Sequence, residues 1–307
     1  MLYELFFHTR KENIPSEESV AEHFAAIPYC SIALRDGDEP GLSVSYENLV
    51  TGVSFSFFFE RDCDAQADYT PPEYSFPGLS FRMKMGGRPV FFAMEAMPIV
   101  AEFCRRFGLM VDNPQEETFG SPDEQELIGS WMEHNLGTLS ELEAYEVEEL
   151  AYAPMEKVIQ WWRYTYQEGS FVRSLKDELP APSIFWSRDD SGGSVTMMRW
   201  EEGGATLFPC CDYIHIHVED SAALGMADRV DGLAAYHEVI AALGSHLADH
   251  ETPLGVIPAL KAGTEAPLGR IIGQCQVVSP ERFYAGAIEP SVLCPVDIFA
   301  AEGDAEA

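Results

Sequence analysis

The sequence predicts an α+β protein of two mixed halves, each an antiparallel β-meander packed against helices. Three observations support this prediction. Short segments that alternate apolar and polar residues recur in both halves. Segments with apolar residues at helical spacing lie between them. A chain of 307 residues is also long enough for two domains, which we expect to span residues 1–180 and 181–307.

The first half opens with a strand and a helix. The apolar segment Leu2–Phe7 predicts the strand, and acidic residues Glu17 and Glu18 favour the first turn of a helix from about Ser16 to Ala26. Alternation then predicts a series of half-buried antiparallel strands. They are Tyr29–Arg35, Leu42–Tyr46, Val53–Phe57 and Leu79–Met85.

Helices dominate the rest of the first half. Apolar spacing predicts a helix from about Val90 to Phe107, which Gly108 ends. The segment Ser121–Glu124 combines a capping residue, a proline and acidic residues, so it predicts a second helix start. Thr138 repeats the capping pattern, and Pro154 begins a helix that is rich in aromatic residues.

The second half alternates short strands with glycine-rich turns, which is typical of a β-meander. Asp231 predicts the cap of a helix from Gly232 to about Leu247. Further strands are expected near residues 270–278 and 292–299. The strands predicted before the helix are Ser183–Arg188, Ser194–Trp200, Thr206–Pro209 and Tyr213–Val218.

The net charge limits the classes of molecule that this protein is expected to bind. The sequence has 51 acidic and 19 basic residues, a formal charge of −32, with an ordinary apolar content of 46%. This charge repels nucleic acids and anionic membranes, so neither is expected as a partner. It favours encounter with a basic protein. The alternative is that the acidity only keeps the protein soluble.

The acidity is concentrated between Arg106 and Lys157, where the sequence contains no Lys or Arg. Ordinary solvated helices mix both signs, because opposite charges four residues apart stabilise a helix and like charges do not. A solvated face without a partner is the alternative interpretation. We predict a partner-binding surface formed by Glu116, Glu117, Asp123, Glu124, Glu126, Glu133, Glu141 and Glu146.

Cysteine usage and the start of the sequence predict a cytoplasmic protein. None of the seven cysteines forms a Cys-x-x-Cys pair, so we expect free thiols in a reducing compartment. The first residues lack the basic start and apolar run of a signal peptide. No apolar run approaches the roughly 20 residues that cross a bilayer.

Few residues indicate chemistry, and we expect no enzyme, no catalytic residue, no metal and no cofactor. The sequence lacks a Gly-x-Ser-x-Gly elbow, a phosphate-binding loop and a dinucleotide-binding motif. His215 and His217 alternate on one strand, with Asp212 just before them, which allows a metal-dependent hydrolase as the alternative function. The competing interpretation is that both histidines form the polar side of an amphipathic strand.

Five segments of the sequence carry a resemblance to a known family. They are Gly41–Phe57, Arg88–Glu95, Phe103–Val111, Pro114–Gln115 and Trp162–Tyr164. Together they resemble the immunity protein 52 family. The resemblance covers about residues 1–220 and leaves the 270–307 segment unplaced. An Asp-Pro-Gln run is expected after the strand ending at Val111, and here Asn113 interrupts it.

The resemblance implies a bacterial protein encoded beside a restriction-endonuclease-like toxin, in polymorphic toxin or type VI secretion loci. Such a protein binds its cognate nuclease toxin in the cytoplasm and neutralises it by contact, without catalysis. A nuclease needs a basic face for DNA, and an acidic inhibitor complements that face. No functional residue carries over individually, because the matching residues are of the kind that builds the fold.

Overall fold

The structure, a computed structural model, describes residues 1–10, 13–35, 41–60, 71–141, 150–174, 179–189, 191–201, 204–218, 230–261, 271 and 286–295. It confirms the α+β class. The chain divides into two compact units, Met1–Leu150 (unit 1) and Ala151–Ala307 (unit 2). Among the helices described, none combines the length and apolar composition that crossing a bilayer requires.

The division between the units falls after Leu150, earlier than the boundary expected after residue 180. Two contacts within unit 2 explain the difference. The strand Ala151–Ala153 pairs with Leu293–Pro295, and the indole of Trp161 donates a 2.8 Å hydrogen bond to the carbonyl of Ile184. The aromatic-rich helix after Pro154 therefore packs with the strands that follow it.

Unit 1 contains a seven-stranded antiparallel sheet in the order β2-β3-β4-β5-β1-β6-β7. The strands are β1 Leu2–Arg10, β2 Cys30–Arg35, β3 Gly41–Asn48, β4 Val53–Glu60, β5 Tyr74–Lys84, β6 Met110–Asn113 and β7 Thr118–Gly120. The helices are α1 Glu17–Ala25, α2 Phe91–Phe107 and α3 Glu124–Gly137, followed by a 3-10 helix at Thr138–Glu141.

The core of unit 1 is aromatic. Phe57 of β4 lies 4.6 Å from the ring of Phe24 in α1 and 5.3 Å from that of Phe103 in α2. It also contacts Phe81 of β5 at 5.2 Å. All four side chains are buried, so one face of the sheet packs against α1 and α2, as the alternation in β3 and β4 predicts.

Two features of unit 1 differ in detail from the sequence prediction. Strand β5 begins at Tyr74, five residues before the start expected at Leu79. A register shift between Phe7 and Thr9 accommodates Pro77 and Gly78 opposite β1, as bulges commonly do for residues that disturb a ladder. Helix α2 ends as predicted, since Gly108 adopts a left-handed φ of 63°.

The described residues of unit 2 form three small sheets. A five-stranded sheet has the order β13-β12-β10-β9-β16, a three-stranded sheet has the order β11-β15-β14, and β17 pairs with β8. The strands are β8 Ala151–Ala153, β9 Ile184–Arg188, β10 Ser194–Glu201, β11 Thr206–Leu207, β12 Tyr213–Val218, β13 Val230–Ala235, β14 Leu247–Thr252, β15 Gly255–Leu260, β16 Ala287–Ile288 and β17 Leu293–Pro295. The helices are α4 Met155–Ser174 and α5 Tyr236–Leu243, with 3-10 helices at Gly244–His246 and Pro290–Val292.

The meander expected in unit 2 is interrupted between β10 and β12. These two strands are parallel, and β17 and β8 are also parallel. The chain leaves the five-stranded sheet after β10 and forms β11, which pairs with β15. It then returns to the same end of β10, and this crossover makes β12 parallel.

The helix predicted from Gly232 to Leu247 is wrong at both ends. Val230–Ala235 is strand β13, in which Asp231 pairs in register with His217, and only Tyr236–Leu243 is α-helical. Residues 247–260 form the β14–β15 hairpin, which the sequence analysis missed. Pairing with β12 outweighs the local helix signal here. The strand expected near 270–278 lies outside the described residues except for Ile271.

Candidate protein-binding surface

The β6–β7 hairpin turn places the first acidic residues at the surface. Asn113 ends β6, and its side-chain oxygen accepts a 3.2 Å hydrogen bond from the amide of Gln115. Its carbonyl accepts a second from the amide of Glu116. This Asn-initiated turn leaves Glu116 and Glu117 exposed.

The amide group of Asn113 also attaches the turn to the rest of unit 1. It donates 3.0 Å hydrogen bonds to the hydroxyls of Tyr3 in β1 and Ser130 in α3, and the Tyr3 hydroxyl donates to Ser130. Burial raises the pKa of the Tyr3 phenol to about 12. Asn113, which interrupts the run that the family resemblance leads one to expect, therefore joins β1, β6 and α3.

Helix α3 presents the next group of carboxylates. Its capping residue is Asp123 rather than Ser121, which the sequence pattern favoured: the Asp123 carboxylate accepts hydrogen bonds from the amides of Gln125 and Glu126 at 2.9 and 3.1 Å. Glu126 and Glu133 lie two turns apart on the exposed side of the helix.

The opposite side of α3 is fixed by buried groups. Trp131 is fully buried and stacks against Phe92 of α2 at 6.5 Å. The side-chain oxygen of Asn135 accepts 3.1 Å hydrogen bonds from the amides of Gly86 and Arg88, and its amide donates to the Arg88 carbonyl at 2.9 Å. The loop before α2 thus holds α3 in a defined orientation, with its acidic side outward.

Six of the eight predicted partner-binding residues can be placed in the structure. Glu124 is half-buried and the other five are exposed. Glu141 lies in the 3-10 helix, but its side chain is not among those described, and Glu146 lies outside the described residues. We call the six placed residues the acidic surface: Glu116, Glu117, Asp123, Glu124, Glu126 and Glu133.

No Lys or Arg of the described residues forms an ion pair with the acidic surface. Within the described part of the chain, its one ion-pair contact is between Glu116 and the imidazole of His134, at 3.7 Å. Two carboxylates elsewhere in unit 1 pair with arginines: Glu4 binds Arg82, and Glu102 binds Arg105. The surface also lies in the part of the sequence that lacks Lys and Arg.

Local structure accounts for some of these carboxylates and not for others. Asp123, Glu124 and Glu126 lie at the start of α3, where negative charge is stabilised by the helix dipole. Glu133 lies just before the last turn of α3, so the helix dipole does not stabilise its charge. Glu117 adopts a left-handed φ of 52°, which costs a residue with a Cβ atom about 1 kcal/mol. Glu117 thus occupies a position that stability alone disfavours, and the helix dipole does not account for Glu133.

The alternative metal site is incomplete among the described residues. His215 and His217 lie on one side of β12 with ring centroids 6.0 Å apart, as predicted. Both are buried, so they do not form the solvent-facing polar side of that strand. The carboxylate of Asp212, the expected third ligand, accepts two hydrogen bonds from Thr196 and pairs with Lys157. No group of three metal-binding side chains occurs in the described part.

Two buried polar groups of unit 1 were missed by the sequence analysis. Nε2 of His8 in β1 lies 3.3 Å from a carboxylate oxygen of Asp112 in β6, and burial lowers the pKa of this imidazole. Glu95 of α2 accepts hydrogen bonds from the Tyr46 hydroxyl and the Asn48 amide, at 2.8 and 3.1 Å. Both groups connect distant elements, and no local sequence signal marks such pairs.

Comparison with known proteins returned no match: no family model matches the chain, and neither a curated protein nor a solved structure does so.

Proposed function

We propose that the chain is an immunity protein whose acidic surface binds a basic nuclease toxin and neutralises it by contact. The observation that carries the proposal is the placement of Glu117 and Glu133. Both are exposed carboxylates: the backbone conformation disfavours Glu117, and the helix dipole does not stabilise Glu133. A partner that contacts both offsets the conformational cost at Glu117 and neutralises the charge of Glu133.

The unpaired charge supports a protein partner of opposite sign. Ion pairs that form only in the complex add affinity, and the long-range field of a single-sign surface accelerates association. The surface combines the β6–β7 hairpin turn with helix α3, so two elements of unit 1 can contact one partner. The resemblance to the immunity protein 52 family supplies the class of partner, a nuclease toxin met in the cytoplasm.

The test is a binding measurement with the product of the neighbouring gene, together with rescue from its toxicity on co-expression. The informative variant changes Glu116, Glu117, Glu126 and Glu133 to Gln. Four surface charge contacts at about 0.5 kcal/mol each predict a loss of affinity of roughly 30-fold. Rescue should weaken in parallel.

A matched control keeps the change in net charge and moves it away from the acidic surface. Glu18, Glu22, Glu47 and Glu73 are exposed carboxylates elsewhere in unit 1, and changing all four to Gln should preserve affinity and rescue. Equal losses in the two variants would mean that net charge acts rather than this surface. Absence of binding by the unmodified protein would refute the immunity proposal.

Glu117→Gly separates function from stability at one residue. Glycine adopts a positive φ without strain, so the free energy of unfolding should be about 1 kcal/mol higher than that of the unmodified protein. Partner affinity should fall, because one carboxylate is lost. A variant that is more stable and binds equally well would show that Glu117 makes no contact with the partner.

A further inference from the structure

Unit 2 contains a cavity of about 790 Å³ that the proposed function does not use. This volume lies within the range of pockets that hold small ligands, about 300–1,000 Å³. Its apolar lining comes from several elements, including Ile159 of α4, Ile184 of β9, Phe208 and Ile257 of β15. Val256 in the same lining is 60% exposed, so apolar surface remains available to a ligand.

Helix α4 contributes polar side chains to this cavity at regular spacing. Glu156, Gln160 and Arg163 all line it, and intervals of four and three residues place them on one side of the helix. Glu156 and Arg163 are exposed, and neither forms an ion pair within the described part of the chain. The backbone positions of Glu156 and Arg163 are therefore about 10 Å apart along the helix axis, with Gln160 between them.

Two further polar groups lie beside Gln160. The Cys210 thiol interacts with the Gln160 side chain, and its pKa is raised by burial and by Asp212. Tyr236 also lines the cavity and donates a 2.9 Å hydrogen bond to the carbonyl of Phe208. The thiol is thus neutral near pH 7 and serves as a reporter of occupancy rather than as a nucleophile.

The spacing of the charges defines the complementary ligand. An extended chain of three residues spans about 10 Å, so its free amino group can reach Glu156 while its carboxylate reaches Arg163. The guanidinium pairs well with a carboxylate in a bidentate arrangement. A single guanidinium with a carboxylate on the same helix side favours a singly charged carboxylate over a phosphate dianion. The facing apolar wall suits aliphatic or aromatic side chains.

We propose that this cavity binds a short apolar peptide of about three residues with both termini free. Glu156 binds the peptide amino group, Arg163 binds the peptide carboxylate, and Gln160 contacts the peptide backbone between them. Ile184, Phe208 and Ile257 contact its side chains. The proposal is independent of the acidic surface, which belongs to unit 1.

Calorimetric titration of the full chain with trileucine and trivaline tests the proposal. At least one should bind, and it should slow alkylation of Cys210, measured by mass spectrometry of the peptide that contains this residue. Acetylating the amino end or amidating the carboxyl end should each weaken binding by at least about fivefold. Octanoate, which has a carboxylate and an apolar tail but no amino group, should bind as weakly as the acetylated peptide.

Protein variants test the same two contacts by changing the residues that bind the peptide ends. Glu156→Gln should remove the advantage of the free amino end, and Arg163→Gln that of the free carboxyl end. The control is the double variant Arg199→Gln/Glu201→Gln, which removes an exposed ion pair outside the cavity and should bind the peptide normally.

Three results would overturn the proposal. The first is no heat and no protection of Cys210 with either tripeptide. The second is equal binding of a peptide blocked at both ends, which would assign recognition to the apolar wall alone. The third is tighter binding of octanoate than of the tripeptides, which would identify a simple apolar acid as the ligand.

Discussion

The acidic surface of unit 1 and the cavity of unit 2 both present charged side chains to solvent, but in opposite arrangements. The surface carries carboxylates of one sign on a hairpin turn and a helix, and only His134 pairs with them among the described residues. The cavity places one carboxylate and one guanidinium beside an apolar wall. Charge of one sign attracts a large partner of opposite sign, whereas opposite charges in a concave site fit a small zwitterion. The arrangement of charge, rather than its total, separates the two proposed functions.

The largest expected effect concerns the attachment of the acidic surface. Asn135→Leu removes the hydrogen-bond acceptor of the Gly86 and Arg88 amides and should destabilise unit 1 by about 3 kcal/mol. Urea unfolding measures this loss. Partner binding should weaken, while peptide binding in unit 2 should not change. Loss of both binding activities would show that the two regions are not independent.

A smaller effect on stability is expected when a carboxylate that has bonding partners is compared with one on the acidic surface. Asp212 accepts hydrogen bonds from Thr196 and pairs with Lys157, so Asp212→Ala should cost about 2 kcal/mol of stability. Glu126→Ala should cost less than about 0.5 kcal/mol, because this side chain has no partner among the residues that the structure describes. Toxin affinity should show the opposite order: Glu126→Ala should reduce it, and Asp212→Ala should leave it unchanged. Equal stability losses would remove the distinction between the two carboxylates.

The smallest effect tests Asp123, which is both a helix cap and a member of the acidic surface. Asp123→Asn keeps the capping oxygen and should change stability by only a few tenths of a kcal/mol, whereas Asp123→Ala should cost about 1 kcal/mol. Both variants lose the charge, so both should lower toxin affinity equally. If only the Ala variant binds less tightly, the role of Asp123 is structural.

The sequence predicted most of unit 1 because its signals are local. Alternation in β3 and β4, the glycine that ends α2 and the acidic first turn of α3 each act over a few residues. Acidic residues of the surface were found for the same reason, since a stretch without Lys or Arg is visible in the sequence. The sequence did not show which of these residues lower the stability of the fold. The unfavourable φ of Glu117 arises from the turn around Asn113, which only the structure reveals.

Unit 2 was predicted less well because its elements depend on distant pairing. Strand β13 forms against β12 despite a local helix signal, and β11 leaves the main sheet to pair with β15. The cavity brings together residues of α4, β9 and the β14–β15 hairpin. No local pattern places Glu156 and Arg163 opposite Ile257, so this site required the three-dimensional structure.

The salt dependence of toxin affinity tests the central claim most directly. Calorimetry between about 50 and 500 mM salt should show a steep loss of affinity for the unmodified protein, because the Debye length falls from about 14 to about 4 Å over this range. The variant with Glu116, Glu117, Glu126 and Glu133 changed to Gln should show a much shallower slope. Equal slopes for the two proteins would contradict a role for the acidic surface in binding.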